Sequence, residues 1–201
     1  MSEQDLPQHP LIVIGGSTGG IEAVIQLLQH LPVQFPAPIF IVIHIQAQQS
    51  IALPQLLHRC TGKTTCDAID RATIEVGYVY TALPDRHLLL TPEGMHVVMG
   101  AKEHGFRPAI DPLFRTAARH YGNRVIGIIL SGALWDGTAG LAEIKARGVT
   151  IVQDPQQALV PSMPQSAINY GVVDYVLPIA EIAQLLVALI QPSDCSSGDI
   201  V

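Results

Sequence analysis

A chain of 201 residues is long enough for one large α/β domain and too short for more than two small ones. Apolar residues make up 48% and charged residues only 14%, which suits a well-buried core, while a net charge of −6 without any Lys/Arg cluster leaves nothing to neutralise nucleic-acid phosphates. No apolar run reaches the ~18 residues of a membrane span, the start Met-Ser-Glu-Gln-Asp lacks the parts of a signal peptide, and Cys60, Cys66 and Cys195 match no zinc spacing. These features predict a cytoplasmic protein with reduced thiols, no membrane insertion, no nucleic-acid partner, and no metal or organic cofactor.

Residues 1–10 form a polar lead. Leu11-Ile-Val-Ile14 is a continuous apolar run that enters Gly15-Gly-Ser17-Thr-Gly-Gly20. Apolar residues then fall at Ile21, Val24, Ile25, Leu28 and Leu31, one stripe of a helix that stops before Pro32. Pro36-Ala-Pro38 introduces a second apolar strand, Ile39–Ile43, ending at His44. A polar stretch from Gln46 to Ser50 leads into a helical pattern through Leu53, Leu56 and Leu57.

Residues 61–100 change character. Thr73–Gly77, Tyr78–Tyr80, Leu88–Leu90 and Met95–Met99 read as short strands, with a hairpin-like turn at Thr91-Pro-Glu-Gly94. Asp111-Pro112 reads as an N-cap and first helical position. A third apolar strand, Val125–Leu130, runs into Ser131-Gly-Ala-Leu-Trp-Asp136-Gly137, and a helix ends before Gly148. Strand Val149–Val152, a short helix from Ser162 to Gly171, strand Tyr175–Leu177 and a last helix from Pro178 through Ile190 follow; residues 191–201 are a polar tail. Alternating strands and helices predict a three-layer, doubly wound, mainly parallel α/β sheet with a small β-hairpin or edge-strand addition, in one domain over residues 11–190.

Three chemistries use a strand–glycine turn–helix like that at Ser17. A phosphate-binding P-loop needs Lys and Ser/Thr after its last glycine, where Ile21-Glu22 stands, so it is excluded. A dinucleotide fingerprint needs glycine where Ser17 stands and an acid about 20 residues on, and after Glu22 the next acid is Asp67. The nucleophile elbow Gly-x-Ser-x-Gly fits literally. A plain Gly/Ser turn is the remaining reading.

Ligands of such folds gather at the carboxyl ends of the strands. Ser17, His44 and Asp136 all follow strands there, and together they form a complete acyl-transfer set of nucleophile, base and orienting carboxylate. Each also has a plainer role. His44 competes with seven other histidines, Asp136 could merely cap the helix after it, and Asp111 and Asp154 are alternative carboxylates with the look of cap or turn residues.

The motifs Gly15-Gly-Ser17-Thr-Gly-Gly20, Val42-Ile-His44, Pro84-Asp-Arg-His87, Arg107-Pro108 with Asp111, Ser131–Gly137, Val152-Gln-Asp154 and Met163-Pro164 come in one order. In that order the chain resembles the CheB family, the catalytic domain of chemotaxis protein-glutamate methylesterases, over roughly residues 10–190. The resemblance implies hydrolysis of γ-glutamyl methyl esters on chemoreceptors, with methanol released and, in some members, glutamine deamidation. It implies Ser17 as nucleophile, His44 as general base and Asp136 as the carboxylate orienting it, with Thr18 and the backbone N–H of Ala133 lining the oxyanion pocket.

The chain departs from the family in three places. The family's Thr-Gly-Met-Gly-x-Asp loop is here Ser131-Gly-Ala-Leu-Trp-Asp136, and a family proline after the histidine is Gln46. With 201 residues, the chain is expected to lack the phosphorylated receiver domain of chemotaxis members. The expectation is a stand-alone esterase acting on a methylated chemoreceptor or receptor-like protein, with a separate regulatory protein in the receiver's place. The alternative is a catalytically weak binding module.

Overall fold

Seven strands lie side by side in the order β3-β4-β2-β1-β7-β8-β9, all parallel. They are β1 (Leu11–Gly16), β2 (Ile39–Ile43), β3 (Thr64–Asp67), β4 (Tyr78–Thr81), β7 (Val125–Ile129), β8 (Val149–Gln153) and β9 (Tyr175–Leu177). A separate antiparallel hairpin pairs β5 (His87–Thr91) with β6 (Gly94–Val98). The helices are α1 (Gly20–His30), α2 (Leu53–Thr61), α3 (Ile110–Tyr121), α4 (Thr138–Lys145), α5 (Ser162–Tyr170) and α6 (Ile179–Ile190). This computed structural model describes residues 9–44 and 52–190. The polar lead up to residue 8, Gln46 with the stretch to Ser50, and the tail from residue 191 lie outside the described residues.

The central strands β1, β2 and β7 are buried along their whole lengths because helices cover both faces, which is why they read as unbroken apolar runs. Alternation splits each strand between two cores. Ile12 and Ile14 pack with α1, α2 and α6, whereas Leu11 and Val13 pack with α3, α4, α5 and the hairpin.

Three local expectations differ from the structure. Thr73–Gly77 forms no strand, and the sheet edge is taken instead by Thr64–Asp67. That segment shows no alternation because an edge strand of four residues gains its place from backbone pairing with β4 rather than from an apolar face. Asp111 is not an N-cap: α3 starts at Ile110, behind Ala109. Asp136 does not cap α4, whose N-cap is Gly137 with no side-chain bond.

The chain builds the sheet outward from β1 in one direction through β2, then returns to place β7 on its other side. The order therefore reverses between β1 and β7. At such a switch point the loops leave in opposite directions and open a crevice at the strands' carboxyl ends. The loops after β1 and β7 are those carrying Ser17 and Asp136.

Candidate active site

Ser17 follows β1 and stands three residues ahead of the first residue of α1. Gly19, at φ 76°, supplies the left-handed residue that lets the chain turn from strand to helix so sharply. Ser17 itself departs from the strained elbow its motif suggests. Positive φ outside glycine is confined, among the described residues, to Arg71, Asp85, His104 and Leu134.

The β1 turn and the β7 loop are tied together. The Ser17 N–H donates to the Ser131 carbonyl at 3.0 Å. Ser131 Oγ donates to the Thr18 carbonyl at 2.8 Å and accepts from the Val160 N–H. Gln153 Oε1 accepts the Ser131 N–H at 2.8 Å. Gly132 passes so close that a Cβ there would lie 3.0 Å from Ser17 Cβ and 2.8 Å from the end of Met163, so no side chain fits. Thr18 is exposed and Ala133 half-buried at the mouth of this turn.

His44 follows directly on β2, and its N–H donates to the Gly16 carbonyl at 3.1 Å. Gly16 and Ile43 are register partners, so Ser17 and His44 leave the same ends of neighbouring strands. The imidazole is buried. Its Nε2 lies 2.8 Å from Asp136 Oδ2. An ionised carboxylate can only accept, so Nε2 carries the proton and Nδ1 is left as the basic nitrogen. Nδ1 is the one buried side-chain polar atom without a hydrogen-bond partner among the described residues.

Asp136 is fully buried. Besides His44, its Oδ2 accepts the Ile110 N–H at 2.7 Å and its Oδ1 the Asp111 N–H at 3.1 Å. These are the first two amides of α3, which has no cap of its own. Asp136 therefore serves as that helix's cap from across the fold and meets the positive end of its dipole. Burial pushes the carboxyl up, but the His44 hydrogen bond and the two α3 amides outweigh it, and the net shift is downward. The capping and orienting readings of Asp136 are one arrangement, with the helix being α3 rather than α4.

Asp111 returns the exchange. Its Oδ1 accepts the Gly140 N–H in the first turn of α4, and Oδ2 accepts from His104 Nε2 at 2.9 Å. Burial raises its carboxyl first, and the neighbouring Asp136 charge adds to that. Ligand atoms of His104, Asp111 and Asp136 lie within 4.8 Å of one another, but each carboxylate is already engaged by helix amides.

Phe106 carries no motif that would mark it in the sequence, yet its ring stacks on His44 with centroids 3.7 Å apart and 7° between planes. The segment bearing it is anchored on both sides. Arg107 pairs with Asp85 at 2.7 Å and donates to the Gly100 carbonyl, and the guanidinium holds the Asp85 carboxyl below its ordinary value. Buried His87 accepts the Ala109 N–H on Nδ1 and donates from Nε2 to the Ala101 carbonyl. Leu134 sits at φ 69° and is exposed. It stands where the family loop has glycine, and a left-handed non-glycine residue costs roughly 1–3 kcal/mol.

A family model for the CheB methylesterase matches residues 12–186. The chain belongs to the CheB methylesterase family. A Leptospira interrogans relative is 41% identical over 185 residues, covering 91% of this chain and 96% of that protein. A protein-glutamate methylesterase/protein-glutamine glutaminase of Hydrogenovibrio crunogenus is 36% identical over 195 residues, and the chain spans 52% of its length. The crystal structure of the Thermotoga maritima CheB methylesterase catalytic domain superposes with a TM-score of 0.87 at 33% identity, covering 92% of this chain and all of that one. The CheB fold carries the seven-stranded parallel sheet and small hairpin described above. No helix among the described residues is long and apolar enough to cross a membrane.

Proposed function

We propose that this CheB-family chain hydrolyses γ-glutamyl methyl esters on a chemoreceptor-like protein, with Ser17 as nucleophile, His44 as general base and Asp136 as the orienting carboxylate. The observation that carries the reading is the state of His44. Its Nε2–H is held by a buried carboxylate, while its buried Nδ1 has no partner, at the end of the strand beside Ser17.

In the first step Ser17 Oγ bonds to the ester carbonyl carbon while its proton passes to His44 Nδ1. The oxyanion is held by backbone donors at the Ser17 turn and at Ala133; one such donor is typically worth about 10²–10³ in rate. The C–O bond to the methoxy group then breaks, and His44 returns the proton to give methanol. Water next attacks the acyl-Ser17 ester, again with His44 taking the proton, and the glutamate carboxyl and free Ser17 are regenerated. The same cycle on a glutamine side chain would release ammonia, as the double name of the Hydrogenovibrio relative indicates for that protein.

Asp136 steadies the imidazolium formed in both steps without taking its proton. Phe106, lying flat on the imidazole, keeps the ring from turning and shields it from water. A separate regulatory protein controlling this chain belongs to the same proposal. Methanol release from a methyl-esterified chemoreceptor cytoplasmic fragment tests the reading. Release by the native chain that vanishes in Ser17→Ala supports it, and retained release in that variant refutes it.

A further inference from the structure

Two buried carboxylates meet behind His44, and the triad uses only one of them. Oxygens of Asp111 and Asp136 lie within 4.8 Å of each other, and both side chains are shut off from solvent. Asp136 has His44 as its imidazole partner. Asp111 has His104, whose Nε2 lies 2.9 Å from Oδ2 and whose side chain is 33% exposed. The second carboxylate is therefore joined to the surface through a ring that can carry a proton.

A tight turn delivers that ring. The Glu103 N–H donates to the Phe106 carbonyl at 3.1 Å, and the Phe106 N–H to the Glu103 carbonyl at 2.8 Å. Between them His104 and Gly105 sit at φ 52° and 84°, the two positive values that a type I′ hairpin turn requires. Asparagine or glycine is usual at the first of these positions, and histidine is tolerated there. The same turn lays Phe106 on His44. Four residues thus serve both histidines.

From this arrangement we propose that His104 is a positioning residue for the reaction. By keeping a proton on the Asp111–His104 pair, it leaves Asp136 as the one net negative charge facing His44. The pull that would hold a proton on His44 is then weaker, and the ring stays free to act as a base. The inference rests on the esterase reading and adds what governs the pH range of its base.

A proton count carries the argument. The hydrogen bond between Oδ2 and Nε2 contains one proton, whichever atom it sits on. A second proton on His104 Nδ1 makes the pair neutral, and its loss leaves the pair at −1. Burial and the charge on Asp136 both work against a second negative charge at Asp111, and both push its carboxyl up. Other charges facing the pair are already matched. Arg115 of α3 is paired with Glu103 at 2.9 Å, Arg107 with Asp85 at 2.7 Å, and Arg119 with Glu143 of α4 at 3.2 Å. Lys102, ahead of the turn, is exposed, and α5 carries no charged residue. His104 is left to answer Asp111.

His104→Asn tests this, because Asn-Gly is the preferred dipeptide of such a turn and asparagine does not titrate. His44 is followed by long-range ¹H–¹⁵N NMR of its ring, assigned by the signal lost in His44→Gln. Its titration midpoint should rise in His104→Asn by about one pH unit, the size Coulomb's law gives for one charge at ~10 Å and an effective dielectric of ~20. The acid limb of kcat/KM for methanol release from the esterified receptor fragment should move with it. Adding Asp111→Asn to His104→Asn removes the uncompensated charge and should return both to their native positions. A folded His104→Asn chain with an unmoved His44 midpoint overturns the proposal, and so does a rise that the double variant fails to reverse. A reversible rise without methanol release by the native chain supports the hold of the pair on His44 and defeats the esterase reading alone.

Discussion

The Asp136→Asn substitution separates the cap that this carboxylate places on α3 from the orienting role proposed for it. The least disruptive asparagine pose puts its oxygen where Oδ2 is now, still accepting from Ile110 and His44, and leaves its NH₂ against the Asp111 N–H. One buried α3 amide then loses its acceptor, at a cost of about 1–3 kcal/mol. Loss of the charge at the α3 terminus adds roughly 0.3–1 kcal/mol. Removing a buried charge close to Asp111 offsets part of this. The net expectation is a destabilisation of about 1–3 kcal/mol, or a Tm lowered by roughly 2–12 °C for a chain of this size. The same substitution removes the charge that favours imidazolium, and in serine triads that typically lowers kcat about 10⁴-fold.

Thermal unfolding followed by circular dichroism gives the first quantity and methanol release the second. Because the native Asp136 carboxyl is held below its ordinary value, its stabilisation is full above the unfolded aspartate range near pH 3.9 and is lost as pH falls through the folded value. The native chain should therefore lose its Tm advantage over Asp136→Asn on acidification. An Asp136→Asn chain with native Tm and activity within tenfold of native would refute both roles. A full Tm loss with intact hydrolysis would leave only the cap.

Ser17→Ala removes only a half-exposed hydroxyl, so the folding free energy should hold within about 0.5 kcal/mol while hydrolysis disappears; a destabilised variant would mean that Ser17 braces the turn. Phe106→Ala should cut kcat about tenfold and shift the pH–rate profile, with Phe106→Tyr restoring both, since an aromatic face against imidazolium is worth about 0.5–2 kcal/mol. An unmoved pH profile would reduce Phe106 to packing. Lys63 is buried where its ammonium donates to the carbonyls of Leu31 and Pro32 at the end of α1, and burial lowers its value to about 8. Between about 8 and the ordinary lysine value near 10.4 the unfolded chain binds a proton that the native one lacks, so native stability relative to Lys63→Met should rise with pH across that window. A flat or falling Tm difference would refute the burial of its charge.

The candidate site was legible to the extent that its members are marked locally. His44 directly follows an apolar run, Ser17 follows one through two glycines, and Asp136 lies in the glycine-bearing loop after a third, so each strand end is marked in its own stretch of sequence. What joins them was not written locally. His44 and Asp136 are 92 residues apart, and their meeting depends on β7 returning to the far side of β1. Phe106 reaches His44 from a segment pinned through Arg107 and Ala109 by Asp85 and His87, each 22 positions back along the chain, and Phe106 itself stands in no motif. Thr64–Asp67 carries no local mark for the opposite reason: its place comes from pairing, and pairing at an edge leaves little trace in side-chain pattern.

The layered α/β fold is written along the chain, because doubly covered strands must be apolar throughout and amphipathic helices must carry a single stripe. The chemical groups at the strand ends are written there too, and the order of the motifs points to the CheB family. How those groups meet depends on contacts between distant segments. The tertiary fold faces His44 Nε2 to a carboxylate, which selects the tautomer protonated there, and leaves Nδ1 without a hydrogen-bond partner among the described residues. It also made Asp136 the cap of α3 and Asp111 a partner of α4, an exchange between helices that no window of sequence contains. The reason is the range of the forces. Burial periodicity and turn geometry act over a few residues and are written there, whereas hydrogen bonds and charges act between whatever the folded chain brings together.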